Sequence, residues 1–156
     1  MNDKTLQEFL NDLKNTDPAV RETATQALWT TWHREAGELA EFQLNRGVAL
    51  MAERQLDQAR ENFADLCEKF PDFPEGHNKL ATVLYLMGRY LESVIECDIT
   101  LEKNPHHFGA WNGKGLCLYN LGKFEEAILC FQRALEIQPY ADVNLHYIGR
   151  CRRKLN

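Results

Sequence analysis

Few side chains in this sequence are spaced for chemistry. Gly113-Lys114-Gly115 has the Gly-x-Gly core of a loop that cradles a dinucleotide pyrophosphate on backbone N–H groups. It lies inside a helical pattern, with no strand before it and no third glycine, so no such loop is expected. Gly122-Lys123 is followed by Phe124, where a phosphate loop needs Ser or Thr for its magnesium ion. His106 and His107 are adjacent, and no Cys or carboxylate stands at zinc-site spacing from them. Both are expected to be solvent-side loop histidines. The five cysteines, Cys67, Cys97, Cys117, Cys130 and Cys151, are odd in number and form no CxxC pair. All fall in apolar helical patterns, so they read as small buried hydrophobes of a reducing compartment. An enzyme built on His146 or Cys151 is the one catalytic alternative. The expectation is a chain with no catalytic residue, no metal site and no cofactor.

Composition narrows the partner. The 156 residues suit one domain, long enough to bury roughly 70% of its unfolded surface. Apolar residues make up 44% and charged residues 26%, ordinary for a globular chain. A net charge of −5 argues against a nucleic-acid module, which needs a basic face to neutralise phosphates. No stretch approaches the ~20 apolar residues of a membrane span. The start, MNDKTLQEFLNDLK, lacks the basic and apolar regions of a secretory leader, so a cytoplasmic location is expected.

The elements that hold these residues repeat. Pro71, Pro105 and Pro139 are spaced by 34, and the same step links Gly47, Ala81, Gly115 and Gly149. Leu50, Leu84 and Leu118 form another column, as do Leu56, Tyr90 and Phe124, then Ala59, Ser93 and Ala127, then Phe63, Cys97 and Phe131. A fixed period of this length marks a stacked repeat architecture. Each unit reads as two helices. Leu56, Ala59, Phe63, Leu66 and Phe70 step by three and four along one face, and Leu44, Gly47, Val48, Leu50 and Met51 make a second. In the last unit Asn120-Leu121-Gly122-Lys123 separates a helix near 109–121 from one near 124–137, with Gly122 suited to a left-handed helix end. Gly costs a helix ~1 kcal/mol relative to Ala, so the small column implies close approach of a partner helix.

Trp111, Gly115, Gly122, Phe124, Ala127, Phe131, Ala134 and Pro139 resemble the tetratricopeptide repeat (TPR) pattern almost position for position. The resemblance implies an all-α fold, a right-handed α-solenoid of stacked antiparallel helix pairs. Its units are 40–73, 74–107 and 108–141. The middle unit departs from the pattern at His77, Cys97 and Thr100, and the first at Gln43 and Arg54. Residues 142–156 start a fourth unit in phase (Leu145, Ile148, Gly149) and stop after one helix, a terminal cap whose Arg150, Arg152, Arg153 and Lys154 keep the outer side wet. Residues 1–39 are out of phase. Asp17-Pro18 is a capped helix start, and Val20, Ala24, Ala27, Leu28 and Thr31 give one face. The stretch 17–28 resembles half of a HEAT repeat, implying an N-terminal hairpin stacked on the first unit with Trp29 and Trp32 at the junction.

In TPR families the exposed strip of each first helix lines a concave groove that binds extended peptides or partner helices. One step round from the core face, positions five, nine and twelve of each unit form this strip. They hold Leu44, Asn78, Asn112 and His146; Val48, Thr82, Leu116 and Arg150; Met51, Tyr85, Tyr119 and Arg153. The candidate site is therefore Asn78, Thr82, Tyr85, Asn112, Leu116, Tyr119, His146, Arg150 and Arg153, graded from an apolar first unit to a cationic end. The asparagines suit bidentate pairing with a peptide backbone, and the tyrosines offer large amphipathic surfaces. The expected partner is a protein or peptide with an acidic end, and neither nucleic acid nor membrane. A TPR subclass grips the acidic tails of heat-shock chaperones with Lys, Asn and Arg. Here Leu44, Val48, Gly109 and Gly113 stand in several of those places, which disfavours that partner. The alternative from another class is a homodimer through exposed ends or through Trp29 and Trp32, with an idle groove.

Overall fold

The structure, a computed structural model, describes residues 4–156; the first three residues of the N-terminal segment read above lie outside the described residues. Among these the chain is all helical: α1 (Leu6–Asp12), α2 (Pro18–Arg34), α3 (Glu38–Ala52), α4 (Leu56–Lys69), α5 (Pro74–Leu86), α6 (Tyr90–Lys103), α7 (Phe108–Asn120), α8 (Phe124–Ile137) and α9 (Asp142–Leu155). From α3 onward each helix packs on the one before it, giving a helical solenoid of antiparallel pairs. No described helix is long and apolar enough to cross a membrane.

Local chemistry sets the helix ends. The Asp17 side chain accepts from the Ala19 N–H at 2.9 Å, and Pro18 opens α2 with its fixed φ. The first helix of each pair ends in a left-handed residue one period apart: Arg54 at φ 63°, then Gly88 and Gly122 at φ 76°. Gly37 stands at the N-cap of α3 with φ 93°.

The small column works as its position implies. A Cβ on Gly115 would meet the Phe131 ring at 2.7 Å, so the side-chain-free backbone is what lets that phenyl bury completely. Phe63 and Phe131 anchor two clusters. The first joins Leu44, Phe63, Leu66, Leu80, Val83 and Leu84; the second joins Leu118, Phe131, Ile148 and Cys151, so α9 covers the last pair.

The N-terminal hairpin touches the first unit where α2 meets α3, and it also reaches further along the array. Its core of Leu10, Leu13, Leu28 and Trp32 closes with Phe108 and Ile137 of the third pair. The Arg21 guanidinium lies 4.0 Å over the Tyr140 ring, Trp32 stacks on His107 at 4.6 Å, and Lys79 lies 5.4 Å from the Trp29 ring. Helix α2 thus runs as a strap along one edge of the array. Aromatic packing holds it there: Trp32 stacks on His107, while Trp29 meets His107 and Phe108 edge-on.

Candidate peptide groove

The groove forms because α5 and α7 stand side by side over α6. Asn78, Ala81, Thr82, Tyr85 and Leu86 make one wall, Gly109, Asn112, Gly113 and Leu116 the other, and Ser93 and Cys97 the floor, around a volume of about 280 Å³. Ser93 is held there by donating to the Ala81 carbonyl at 2.7 Å, and Cys117 donates to Ser93 at 3.1 Å. Burial pushes the thiols of Cys97, Cys117 and Cys151 up, and that of Cys130 to about 11. Thiols held protonated in this way are weak nucleophiles.

Five of the nine residues singled out from the sequence line this volume: Asn78, Thr82, Tyr85, Asn112 and Leu116. Their polar atoms are less free than the sequence suggested. Asn78 is buried and donates its amide to Glu75 at 3.0 Å, Asn112 donates to the Asn144 carbonyl at 2.9 Å, and the Thr82 hydroxyl donates to the Asn78 backbone at 3.0 Å. Each amide thereby commits one of its two N–H donors, and bidentate pairing with a peptide needs the remaining N–H together with the side-chain carbonyl. Burial, with the Tyr147 phenol nearby, raises the Tyr85 pKa against an opposing hydrogen bond from Asn120, so the hydroxyl stays neutral at physiological pH.

The other four residues sit beyond these walls. Tyr119 packs edge-on against Phe124 and Tyr147, both at 5.5 Å, and the Arg150 guanidinium lies over the Tyr119 and Tyr147 rings at 5.0 and 5.4 Å. His146 and Arg153 are exposed on α9. At the opposite end the apolar first unit is closed: Leu44 is 0% exposed, and Val48 and Met51 pack on the same core. The graded apolar-to-cationic trough therefore shortens to the second and third pairs plus α9.

Three contributors were missed. Gly109 and Gly113 lower the α7 wall, and a Cβ on Gly109 would come within 2.8 Å of Trp29, which brings the strap to the rim of the groove. The third is a buried polar cluster beneath Trp32. His107, expected in solvent, is 0% exposed; its Nδ1 accepts from the Ala110 N–H at 3.0 Å, so its Nε2 carries the proton and donates to Glu75 at 2.7 Å. Glu75, also 0% exposed, has Lys79 at 3.4 Å on its other oxygen. Burial works to raise its carboxyl pKa, but the His107 and Asn78 hydrogen bonds and the Lys79 charge outweigh that and hold it below its ordinary value. A Glu, a His and an Asn scattered over 33 residues give no sequence signal for such a cluster.

The chain's likenesses agree with this architecture. Tetratricopeptide-repeat family models match residues 44–102 and 109–140, together more than half of the chain. A TPR repeat-containing protein of Rhizobium etli is 35% identical over 69 residues, 44% of this chain and 34% of its own length. The chain spans about a third or less of the curated relatives it matches. Among solved structures, the first TPR of Spaghetti (RPAP3) bound to an HSP90 peptide superposes with a TM-score of 0.73 at 18% identity, covering 74% of this chain and 92% of that one. The TPR2B domain of yeast Sti1 in an Hsp70 complex gives 0.69 at 15% identity, covering 74% and 97%.

Proposed function

The chain belongs to the tetratricopeptide-repeat family, and we propose that it is a non-catalytic interaction module, an adaptor or assembly factor that holds a partner peptide or helix in its concave groove. One observation carries this reading. Two parallel helices place Asn78, Thr82 and Tyr85 opposite Asn112 and Leu116 across a trough floored by Ser93 and Cys97. Its neighbours in fold include domains bound to HSP90 and Hsp70 peptides, which supports a peptide-sized ligand. The Leu44, Gly109 and Gly113 positions offer no charge for a chaperone tail, so a different sequence is expected to bind. Arg150 on Tyr119, with His146 and Arg153 beyond, favours an acidic group at the α9 end. A micromolar complex needs about −8 kcal/mol, within reach of one aromatic anchor and a few charge-assisted contacts. The five unpaired thiols suit a reducing, cytoplasmic setting.

The test is comparative capture from the native cell by the full chain and by a Thr82→Arg/Leu116→Arg variant, which fills the trough while leaving both backbones helical. Partners lost with the variant are groove partners; retention of every partner refutes the assignment. Asn112→Ala is a poorer probe, since it strips the partner from the Asn144 carbonyl, a residue only 2% exposed. Self-association is a second reading with its own observation: Leu39 and Phe42 on α3 are 81% and 73% exposed. Trp29 and Trp32, by contrast, are spent on the strap and do not offer a dimer surface. Light scattering at two concentrations separates the two readings.

A further inference from the structure

The second unit carries one feature that its neighbours lack. At the same repeat position the three units place Gln43, His77 and Trp111. Trp111 donates its indole N–H to the Pro105 carbonyl at 3.0 Å, and His77 repeats this bond one unit earlier, with Nε2 on the Pro71 carbonyl at 2.9 Å. That contact meets the structural need of the position. The imidazole then has a second nitrogen that indole does not. Nδ1 points to the Glu96 carboxylate at 2.8 Å, and the Cys67 Sγ completes a group whose donor atoms all lie within 4.8 Å of one another.

We infer that Cys67 of α4, His77 of α5 and Glu96 of α6 form a binding site for a borderline divalent metal ion of the zinc type. A sulfur, an imidazole nitrogen and a single carboxylate are a donor set for such ions, while calcium and magnesium select oxygen alone. Metal–ligand bonds of about 2.0–2.3 Å at tetrahedral angles put neighbouring donors ~3.3–3.8 Å apart. The group reaches that geometry with shifts of about 1 Å or less. His77 is buried and its ring is held by the Pro71 carbonyl, the outer contact that orients a ligating histidine. Cys67 and Glu96 are half-buried, and Glu96 also lines an open cavity of about 270 Å³ between α4 and α6, which gives the ion its way in. Binding deprotonates the Cys67 thiol and His77 Nδ1, both protons passing to solvent, and leaves the fourth position to water. The corresponding positions one unit on are Leu101, Trp111 and Cys130, so the site, built across the first and second units, is not repeated there.

Cobalt(II) is the probe. The full chain, reduced and freed of metal with a chelator, is titrated with cobalt and followed by absorption. The expected result is a thiolate-to-cobalt charge-transfer band with tetrahedral visible bands, saturating at one equivalent and bleached by zinc. Cys67→Ser abolishes the charge-transfer band, Cys151→Ser keeps it, and Glu96→Gln, which preserves the contact with His77, weakens binding by about tenfold or more at unchanged helicity. Absence of the band at one equivalent overturns the site, as does a band that survives in Cys67→Ser.

Discussion

Glu75→Gln tests the buried cluster that joins the strap to the groove. The carboxylate receives three donors: His107 Nε2–H at 2.7 Å, the Asn78 amide at 3.0 Å and Lys79 at 3.4 Å. A glutamine of the same shape has one acceptor oxygen and turns an NH2 group toward at least one of those donors. An orphaned buried donor costs about 1–3 kcal/mol, and a charge-assisted bond reduced to a neutral one loses about 1 more, so ~2–4 kcal/mol is expected. For a chain of this size that lowers Tm by roughly 4–15 °C. The sign of the pH effect follows from the depressed carboxyl. The stabilisation from Glu75 is fully present above its ordinary value of 4.5 and is lost as pH falls through the lower folded-state pKa. Urea unfolding of wild type and variant, followed by helicity and tryptophan fluorescence, should show a large gap at pH 7 that narrows toward pH 3. A gap below about 0.5 kcal/mol at pH 7, or one unchanged at pH 3, refutes the cluster as an ionised carboxylate held by three donors.

Other perturbations separate backbone from packing. Arg54→Gly should stabilise: the left-handed conformation at φ 63° costs a side-chain residue about 1–2 kcal/mol, of which glycine's extra unfolded-state freedom returns about 0.5–1. Thermal unfolding should shift up by roughly 1–4 °C, with Gly122→Arg moving it down. Gly109→Ala drives a methyl against Trp29 at 2.8 Å and His107 at 3.1 Å, both packed rings, and should cost about 1–3 kcal/mol while speeding amide exchange in α1 and α2. Gly113→Ala meets nothing nearer than the Cys97 Sγ at 3.7 Å and should gain ~0.5–1 kcal/mol from helix propensity. Equal effects from these two substitutions would contradict the close approach of the strap.

Periodicity made the array legible because each pair buries its face against neighbours of the same design. The column Gly47, Ala81, Gly115 already implied a close helix approach, which the Phe131 ring makes at Gly115. The strip of positions five, nine and twelve led to Asn78, Thr82, Tyr85, Asn112 and Leu116 for the same reason, since stacking converts a spacing of 34 into adjacency. Adjacency is not exposure, however: Leu44 sits on the strip yet is sealed into the core with Phe63 and Leu80, and its counterpart Asn78 is also buried.

The amino-acid pattern alone determined the helix pairs, their register and the strip from which the groove is cut, because those depend on contacts between residues near in sequence or one repeat apart. Tertiary structure decided the rest. Trp32 meets His107 across 75 residues, Glu75 meets His107 across 32, and Cys67 meets Glu96 across three helices. Such contacts depend on how out-of-phase segments and side-chain rotamers settle against an array already formed, and no spacing along the chain encodes them.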